Sequence, residues 1–283
     1  MSVKRKGYRN LISTNVLTGW YSDGRHPNTI ISAEYSRKMK KNYITATANI
    51  STRNTDINDT EVSPNASDLD NTGVQLRLDW EHTFNSKWST RAGIAVANGI
   101  FPSWLGQAGA FYTFPKDIEL GVTLGYRKNY TPNSILLTDN AIRSGNMYNL
   151  RLSGGVYKDL WKVNTNLDGF MLNRTMYFNL NSQFRYYPLY DSNSHILVSV
   201  GVGTAPEIDF VDKLMPGSFE NVNVSLGVGG VYMISKNLSL GLTATYHYFY
   251  NQTEDTVNEE KTDDIITNYK NLYELYAQLI FCF

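Results

Sequence analysis

Apolar and polar residues alternate along most of this 283-residue chain, which is the pattern of β-strands with one apolar face. Residues 74–81 show it clearly, because the even-numbered positions are apolar and the odd-numbered positions carry Gln75, Arg77, Asp79 and Glu81. A shift of the strand by one residue would move all of these polar side chains to the apolar face. The alternation therefore predicts a fixed register, with an apolar medium on one side of the sheet and a polar one on the other.

The same alternation recurs often enough to predict about fourteen strands, with about twelve as the alternative if an early pair is mispaired or a weak segment is loop. The predicted strands span 12–20, 31–39, 44–50, 74–84, 88–96, 104–114, 118–126, 148–156, 161–167, 176–186, 196–202, 222–234, 238–250 and about 268–283. Bacterial transmembrane barrels have an even number of strands with this alternation. The pattern predicts an all-β fold, a transmembrane antiparallel up-and-down β-barrel, rather than a soluble β-sandwich with aromatic cross-strand pairs.

The predicted connections alternate between short and long. Short turns are expected at 40–41, 85–87, 115–117, 158–160, 188–193 and 235–236, and long polar connections at about 51–72, 130–145, 204–217 and 251–267, with a tight link near 173–174 as the exception. Transmembrane barrels have short periplasmic turns and longer outer loops, so this order places both termini in the periplasm. The polar outer loops are expected to lie beside lipopolysaccharide.

Aromatic residues gather near the predicted strand ends, where amphipathic rings meet the two membrane interfaces. One belt follows the short turns and a second follows the long connections: Phe84, Trp88, Phe114, Trp161, Phe281 and Phe283, then Trp20, Trp104, Tyr246, Tyr248 and Tyr250. The closing strand also resembles the terminal signal that bacterial outer-membrane proteins present to their barrel-insertion machinery. Tyr276, Phe281 and Phe283 carry this resemblance, and Gln278 stands where glycine is usual.

Composition narrows the class further. Lys and Arg balance Asp and Glu at 26 each, so no net positive charge points to nucleic acid. The mean hydropathy is −0.35, and the absence of a run of about 18 apolar residues excludes a transmembrane helix but not alternating barrel strands. No apolar segment follows the basic start at residues 4–6, so a signal peptide is expected to be missing from this chain. We expect one domain over 1–283, with 1–9 as a periplasmic lead-in.

Four segments carry a family resemblance. They read PSW at 102–104, GAFYTFP at 109–115, ELGVTLGYR at 119–127 and GVGTAPE at 201–207. With these segments the chain, from about residue 8 to its end, resembles the YaiO family of outer-membrane β-barrels. The resemblance implies the bacterial outer membrane as the location and a barrel as the fold, and it implies no settled activity.

The candidate chemistry lies on the inward face of the predicted barrel. The charged residues expected to line the lumen are Arg77, Asp79, Glu81, Arg91, Glu119, Arg127, Arg151, Arg185 and Glu274. They are expected to form a salt-bridge network that stiffens the barrel, a polar conduit with an arginine ladder for anions or sugars, or both. Inward aromatic residues are expected to be few, so no stacked path for sugars is evident.

The histidines and the cysteine offer little catalytic or metal chemistry. His195 and His247 are expected on the inward face at opposite ends of their strands, too far apart to share a metal, and the lone Cys282 allows no internal disulfide. His82 is expected on the lipid-facing side, where a serine partner would make an acyl hydrolase, but spacing identifies no such partner. The sequence therefore predicts no catalytic residue, no cofactor and no metal site.

The sequence as a whole predicts an integral outer-membrane barrel of a Gram-negative bacterium. Its favoured role is a porin-like pore or conduit for small polar solutes or a surface glycan. The alternative is a non-conducting barrel with a structural or surface-binding role. A lipid-modifying barrel enzyme is the third and least favoured class.

Overall fold

The computed structural model describes residues 9–21, 29–52, 72–98, 103–129, 145–172, 175–188, 194–203, 222–250 and 271–283. They form fourteen strands: β1 (Asn10–Tyr21), β2 (Thr29–Met39), β3 (Asn42–Thr52), β4 (Thr72–Thr83), β5 (Trp88–Asn98), β6 (Ser103–Phe114), β7 (Ile118–Asn129), β8 (Gly145–Tyr157), β9 (Trp161–Leu172), β10 (Thr175–Tyr186), β11 (His195–Gly203), β12 (Val222–Met233), β13 (Leu238–Tyr250) and β14 (Asn271–Cys282). The prediction of fourteen strands is confirmed, and the twelve-strand alternative is wrong.

The strands form one closed antiparallel barrel, in which each strand pairs with its neighbours along the chain. β1 and β14 close the ring through a register that runs from Leu11 opposite Cys282 to Tyr21 opposite Leu272. Backbone hydrogen bonds between Asn10 and Phe283, at 3.0 and 3.1 Å, extend this seam by one residue pair. Closure gives both terminal strands a partner and so removes the open edges of the sheet.

The end of the barrel that carries the short turns and both ends of the chain is called the inner end, and the opposite end the outer end. The short turns at the inner end follow from local side-chain and backbone chemistry. Between β6 and β7, Lys116 and Asp117 adopt left-handed backbone with φ of 71° and 61°, a twist that matches the flanking strands of a hairpin. Between β4 and β5, Asn85 Oδ1 accepts hydrogen bonds from the backbone N–H groups of Lys87 and Trp88, both at 2.9 Å. The predicted long connections, and residues 268–270 of the predicted last strand, lie outside the described residues.

The two faces of the sheet have opposite chemistry. Large exposed side chains on the outward face are apolar along the whole barrel, such as Leu76, Ile94, Leu124, Leu226 and Val228. The alternate, inward positions carry the polar residues, and those that are buried include Asn49, Gln75, Arg127, Asp168 and Asn179. Since the outward face would be unfavourable in water, this distribution suits a lipid environment outside and a polar lumen inside.

Outward aromatic side chains contact one another near both ends of the strands. Near the inner turns, the ring centroids of Trp88 and Tyr112 lie 4.8 Å apart. Near the outer end, Trp104 and Tyr126 lie 5.1 Å apart. The side chain of Tyr250, assigned to the outer belt from sequence, lies outside the described residues. In the part of the chain that the structure describes, no helix is long and apolar enough to cross a membrane.

Candidate functional site

The lumen collects the polar side chains, because inward positions of neighbouring strands share one face of the sheet. The structure places each lumen residue named from the sequence on this inward face: Arg77, Asp79, Glu81, Arg91, Glu119, Arg127, Arg151, Arg185 and Glu274. The residues of the terminal signal divide between the faces. Phe281 and Phe283 are exposed on the outward face, whereas Tyr276 lies on the inward face.

An ion cluster occupies the inner half of the lumen and joins four strands. Arg91 on β5 lies opposite Glu81 on β4, and its Nε donates a hydrogen bond to Glu81 Oε2 at 3.1 Å. Its Nη2 donates to Glu119 Oε1 on β7 at 3.2 Å. The guanidinium carbon lies 3.8 Å from the ring centroid of Phe111 on β6, and Phe111 lies over Gly121 on β7. Arg91 therefore holds two carboxylates and one aromatic ring in a single layer.

A second ion pair lies farther along β4. Arg77 donates two hydrogen bonds to Asp79, from Nε to Oδ2 at 2.6 Å and from Nη2 to Oδ1 at 3.0 Å. Gln107 Nε2 on β6 lies 3.5 Å from the same Asp79 Oδ1. Gly93 on β5, opposite Asp79, leaves the space that the carboxylate occupies. A glycine on the middle strand thus allows β4 and β6 to share one polar contact across it.

A third ion pair joins β8 and β9. Arg151 and Asp168 lie opposite each other, and Arg151 Nε donates to Asp168 Oδ1 at 2.6 Å. Asn149 Nδ2 approaches the same oxygen at 3.5 Å. Salt bridges expected in the lumen are thus present among the described residues, and these three groups each lie across or along neighbouring strands.

Several of these charged side chains are partly accessible although they point into the barrel. The exposed fraction of the side chain is 24% for Arg77, 33% for Asp79 and 36% for Arg151. Other inward residues are almost completely covered toward both ends of the strands, such as Arg127 and Leu272 at the outer end and Ser239 and Cys282 at the inner end. The lumen therefore contains accessible space beside the ion pairs, whereas inward residues toward both of its ends are covered.

The wall formed by β11, β12 and β13 carries small side chains at many of its inward positions, namely Ser199, Gly201, Gly203, Ser225, Gly227, Gly229, Gly241, Thr243 and Thr245. Leu197, Val231 and His247 face inward on the same strands. The hydroxyl of Ser199 occupies the place that a side chain at Gly227 would take, and Thr245 Oγ1 would lie 3.1 Å from it. The small positions of this wall present hydroxyl and backbone groups to the lumen. It lies across the ring from β4–β6, since β12 and β5 are separated by half of the fourteen strands.

Two of the described histidines have an amide and a carboxylate among their hydrogen-bond partners. His82 faces outward as expected, but its Nδ1 lies 2.8 Å from the amide oxygen of Asn42, which also accepts from Trp80 Nε1 at 3.1 Å. An amide cannot act as the nucleophile of an acyl hydrolase. His247 Nε2 contacts Glu274 Oε2 at 2.8 Å in the lumen. Among the described residues, no group of three metal-binding side chains is present.

Inward aromatic residues are more frequent than the sequence reading expected, and that expectation is wrong. Phe111, Phe170, Tyr177 and Tyr187 are all buried on the inward face. Sequence reasoning also passed over Lys162, which lies inward between two outward residues of β9. Alternation was the signal that could have found each of them. The aromatic residues considered from the sequence were those of the outward belts, and the inward positions between them were not considered.

Comparison with known proteins gives a family and a fold. The profile of the YaiO membrane beta barrel domain matches residues 9–208. Among solved structures, the chain is similar to a bacterial polysaccharide outer membrane secretin, with 10% identity, a TM-score of 0.58, and coverage of 99% of this chain and 100% of that one. It is also similar to the Pseudomonas putida toluene transporter TodX, with 10% identity, a TM-score of 0.53, and coverage of 98% and 89%.

A further similar structure is the CymD monoaromatic hydrocarbon channel, with 11% identity, a TM-score of 0.52, and coverage of 99% of this chain and 89% of that chain. At such low identity these likenesses show the barrel fold alone. No curated protein matches the sequence.

Proposed function

This chain belongs to the YaiO family of membrane β-barrels, and we propose that it is a conduit for small polar solutes in the bacterial outer membrane. One observation carries the proposal: charged side chains that point into the lumen, such as Asp79 and Arg151, are about one-third exposed. A charge that remains accessible inside a barrel requires solvent-filled space beside it. We place that space between the ion pairs and the small inward side chains of β11–β13.

The chemistry of the two walls supports polar rather than apolar cargo. The β4–β9 side offers charged and amide groups, and the opposite side offers serine and threonine hydroxyls. A polar solute can exchange its hydration for such groups as it passes, whereas a hydrocarbon would have to displace water from them without replacing it. In the outer membrane we expect the outer loops to contact lipopolysaccharide. We expect the barrel-insertion machinery to recognise the terminal aromatic residues.

The test is the conductance of the refolded full chain in a planar lipid bilayer, with a matched pair of variants on one strand. Thr245→Trp adds an indole to the lumen, and Ala244→Trp adds the same group to the lipid-facing side of β13. We expect stable single-channel steps from the wild type, smaller steps from Thr245→Trp, and wild-type steps from Ala244→Trp. Equal conductance of both variants would contradict a path along this wall.

The bilayer recording can also measure the largest solute that enters the lumen. Polyethylene glycols of graded size, added to the recording solution, lower the conductance only when they are small enough to enter. Exclusion of all but the smallest polymers restricts the cargo to small solutes. Entry of extended polymers makes a surface glycan the better candidate.

A specific observation also favours a second candidate, a non-conducting barrel with a structural or surface-binding role. Inward residues toward both ends of the barrel are almost fully covered, including Arg127 at the outer end and Ser239 and Cys282 at the inner end. A barrel whose lumen is closed toward its ends would conduct no ions while still presenting its outer surface to a partner. Absence of conductance from a barrel whose folding has been verified by circular dichroism would support this candidate over the conduit.

A further inference from the structure

The inner ends of β9 and β10 carry two cations without a carboxylate partner in the described part of the chain. Lys162 lies directly opposite Arg185, and like charges directly opposite each other destabilise a sheet. The arginines of the ion groups differ in this respect, because Arg77, Arg91 and Arg151 each contact a carboxylate. The neighbouring cations therefore form a corner of the lumen whose charge is not neutralised by a direct ion pair among those residues.

Two polar atoms in the same corner are buried and lack a hydrogen-bond partner, namely Arg185 Nε and the Tyr187 hydroxyl. Tyr187 is only 6% exposed, and it follows Arg185 by two positions, so both side chains lie on the inward face. Lys162 Nζ lies 4.7 Å from the centroid of the Tyr187 ring, which keeps the ammonium in this corner. A buried donor is normally satisfied by a protein group, an ordered water or a bound ion.

One nitrogen of the Arg185 guanidinium already makes a hydrogen bond, and this contact fixes the orientation of the planar group. Its Nη2 donates to Gln183 Oε1 on the same strand. The Nε edge of the guanidinium is left as the donor without a partner. An oxyanion is the complementary acceptor, because carboxylate and phosphate oxygens match the arginine fork and draw additional stabilisation from a nearby ammonium.

Tyr157 separates this corner from the acidic part of the lumen. It lies opposite Lys162 on β8, and its hydroxyl lies 2.7 Å from where a side chain at Gly155 would begin. Glu119 lies opposite Gly155 on the other side and is held by Arg91. An anion beside Lys162 therefore has the Tyr157 ring, rather than a carboxylate, as its neighbour on β8.

We infer that Lys162, Arg185 and Tyr187 form a binding site for an oxyanion, the carboxylate or phosphate group of a small solute, at the inner end of the lumen. The inference rests on the proposed conduit and deepens it, since it names anionic solutes as the class that the lumen accepts. The guanidinium and ammonium supply charge, and the phenol hydroxyl supplies one directed hydrogen bond.

Binding is tested on the refolded full chain in detergent micelles, using inorganic phosphate as the probe and the width of its 31P NMR line as the readout. We expect the wild type to broaden the line and the double variant Lys162→Gln, Arg185→Gln to bind phosphate at least about tenfold more weakly. The matched control is Lys38→Gln, Lys41→Gln, which removes the same charge from the inner end of β2 and from the turn between β2 and β3. It should bind as the wild type does.

A second variant, Tyr187→Phe, removes only the hydroxyl oxygen. It provides a test of the site even if the double variant fails to fold. It should weaken phosphate binding by about tenfold, the loss of one hydrogen bond to a charged group. Added succinate that displaces phosphate will narrow the line, and the site then also binds carboxylates. If succinate leaves the line broad, the site binds phosphate but not carboxylates. Unchanged broadening in the folded variants, or none in the wild type, overturns the site. Because micelle binding requires no conduction, the bilayer recording tests the conduit separately.

Discussion

The ring of Phe111 lies over Gly121, its cross-strand partner, in the space that any side chain at position 121 would need. The Arg91 guanidinium lies against the same ring. Glycine at 121 therefore sets the position of Phe111, and through that ring it helps to set the position of the central arginine of the inner ion cluster.

Substitution of Gly121 by alanine should destabilise the barrel. The added methyl group forces the Phe111 ring out of its place, and overpacking of this kind costs about 1–3 kcal/mol. The matched control is Gly154→Ala on the outward face, where the nearest atom, Leu120 Cδ2, lies at an ordinary 3.7 Å. Urea unfolding of the chain refolded in lipid vesicles gives both free energies. Equal stability of the two variants would show that the Phe111 ring moves freely.

Removal of the Arg91 charge should destabilise the barrel because two carboxylates lose their shared donor. Arg91→Met removes the guanidinium that contacts both Glu81 and Glu119. The lumen is partly hydrated, so we expect a loss of about 1–3 kcal/mol. The triple variant Arg91→Met, Glu81→Gln, Glu119→Gln should recover most of it, measured by the same urea unfolding. A triple variant less stable than Arg91→Met would contradict charge repulsion as the cause.

The Arg151–Asp168 pair should influence ion selectivity with opposite signs for its two members. Arg151→Gln leaves a negative charge in the lumen and should favour cations, whereas Asp168→Asn leaves a positive charge and should favour anions. The reversal potential of the refolded barrel under a KCl gradient measures the preference. Shifts in the same direction, or no shift in conducting channels, would place this pair away from the ion path.

Phe283 should speed assembly in the cell if it belongs to the terminal signal. Phe283→Ala keeps the backbone hydrogen bonds to Asn10 but loses the aromatic ring. We expect slower appearance of the heat-modifiable folded form in the outer membrane, followed by pulse-chase labelling. Phe114→Ala removes a similarly exposed aromatic from the inner turns and is the control. Slowed refolding of the purified Phe283→Ala chain without any machinery would assign the effect to stability instead.

The strands were predictable because alternation with a period of two survives in every one of them. In β4, a register shift of one residue would place Arg77, Asp79 and Glu81 on the lipid-facing side, so only one register is compatible with the sequence. The turns were predictable for related reasons, since Asn85 and Asp117 tolerate the local hydrogen bonding or left-handed backbone that a tight hairpin requires.

The contacts inside the lumen were not predictable from the same signal. Alternation places Arg91 and Glu119 on one face, but their contact spans two strands and depends on register and on the ring of Phe111. Arg185 and Lys162 are equivalent to other inward cations in sequence. Only the pairing of β9 with β10 shows that they face each other rather than a carboxylate.

The seam between β1 and β14 has a consequence for how the molecule is made. Its partners, such as Leu11 and Cys282, come from opposite ends of the chain, so this pairing forms late and slowly compared with the hairpins. Until then the half-built sheet presents two unsatisfied edges, which are templates for other extended chains. Aggregation during biogenesis should therefore concentrate in this open species, and periplasmic chaperones would have to shield both edges until they meet.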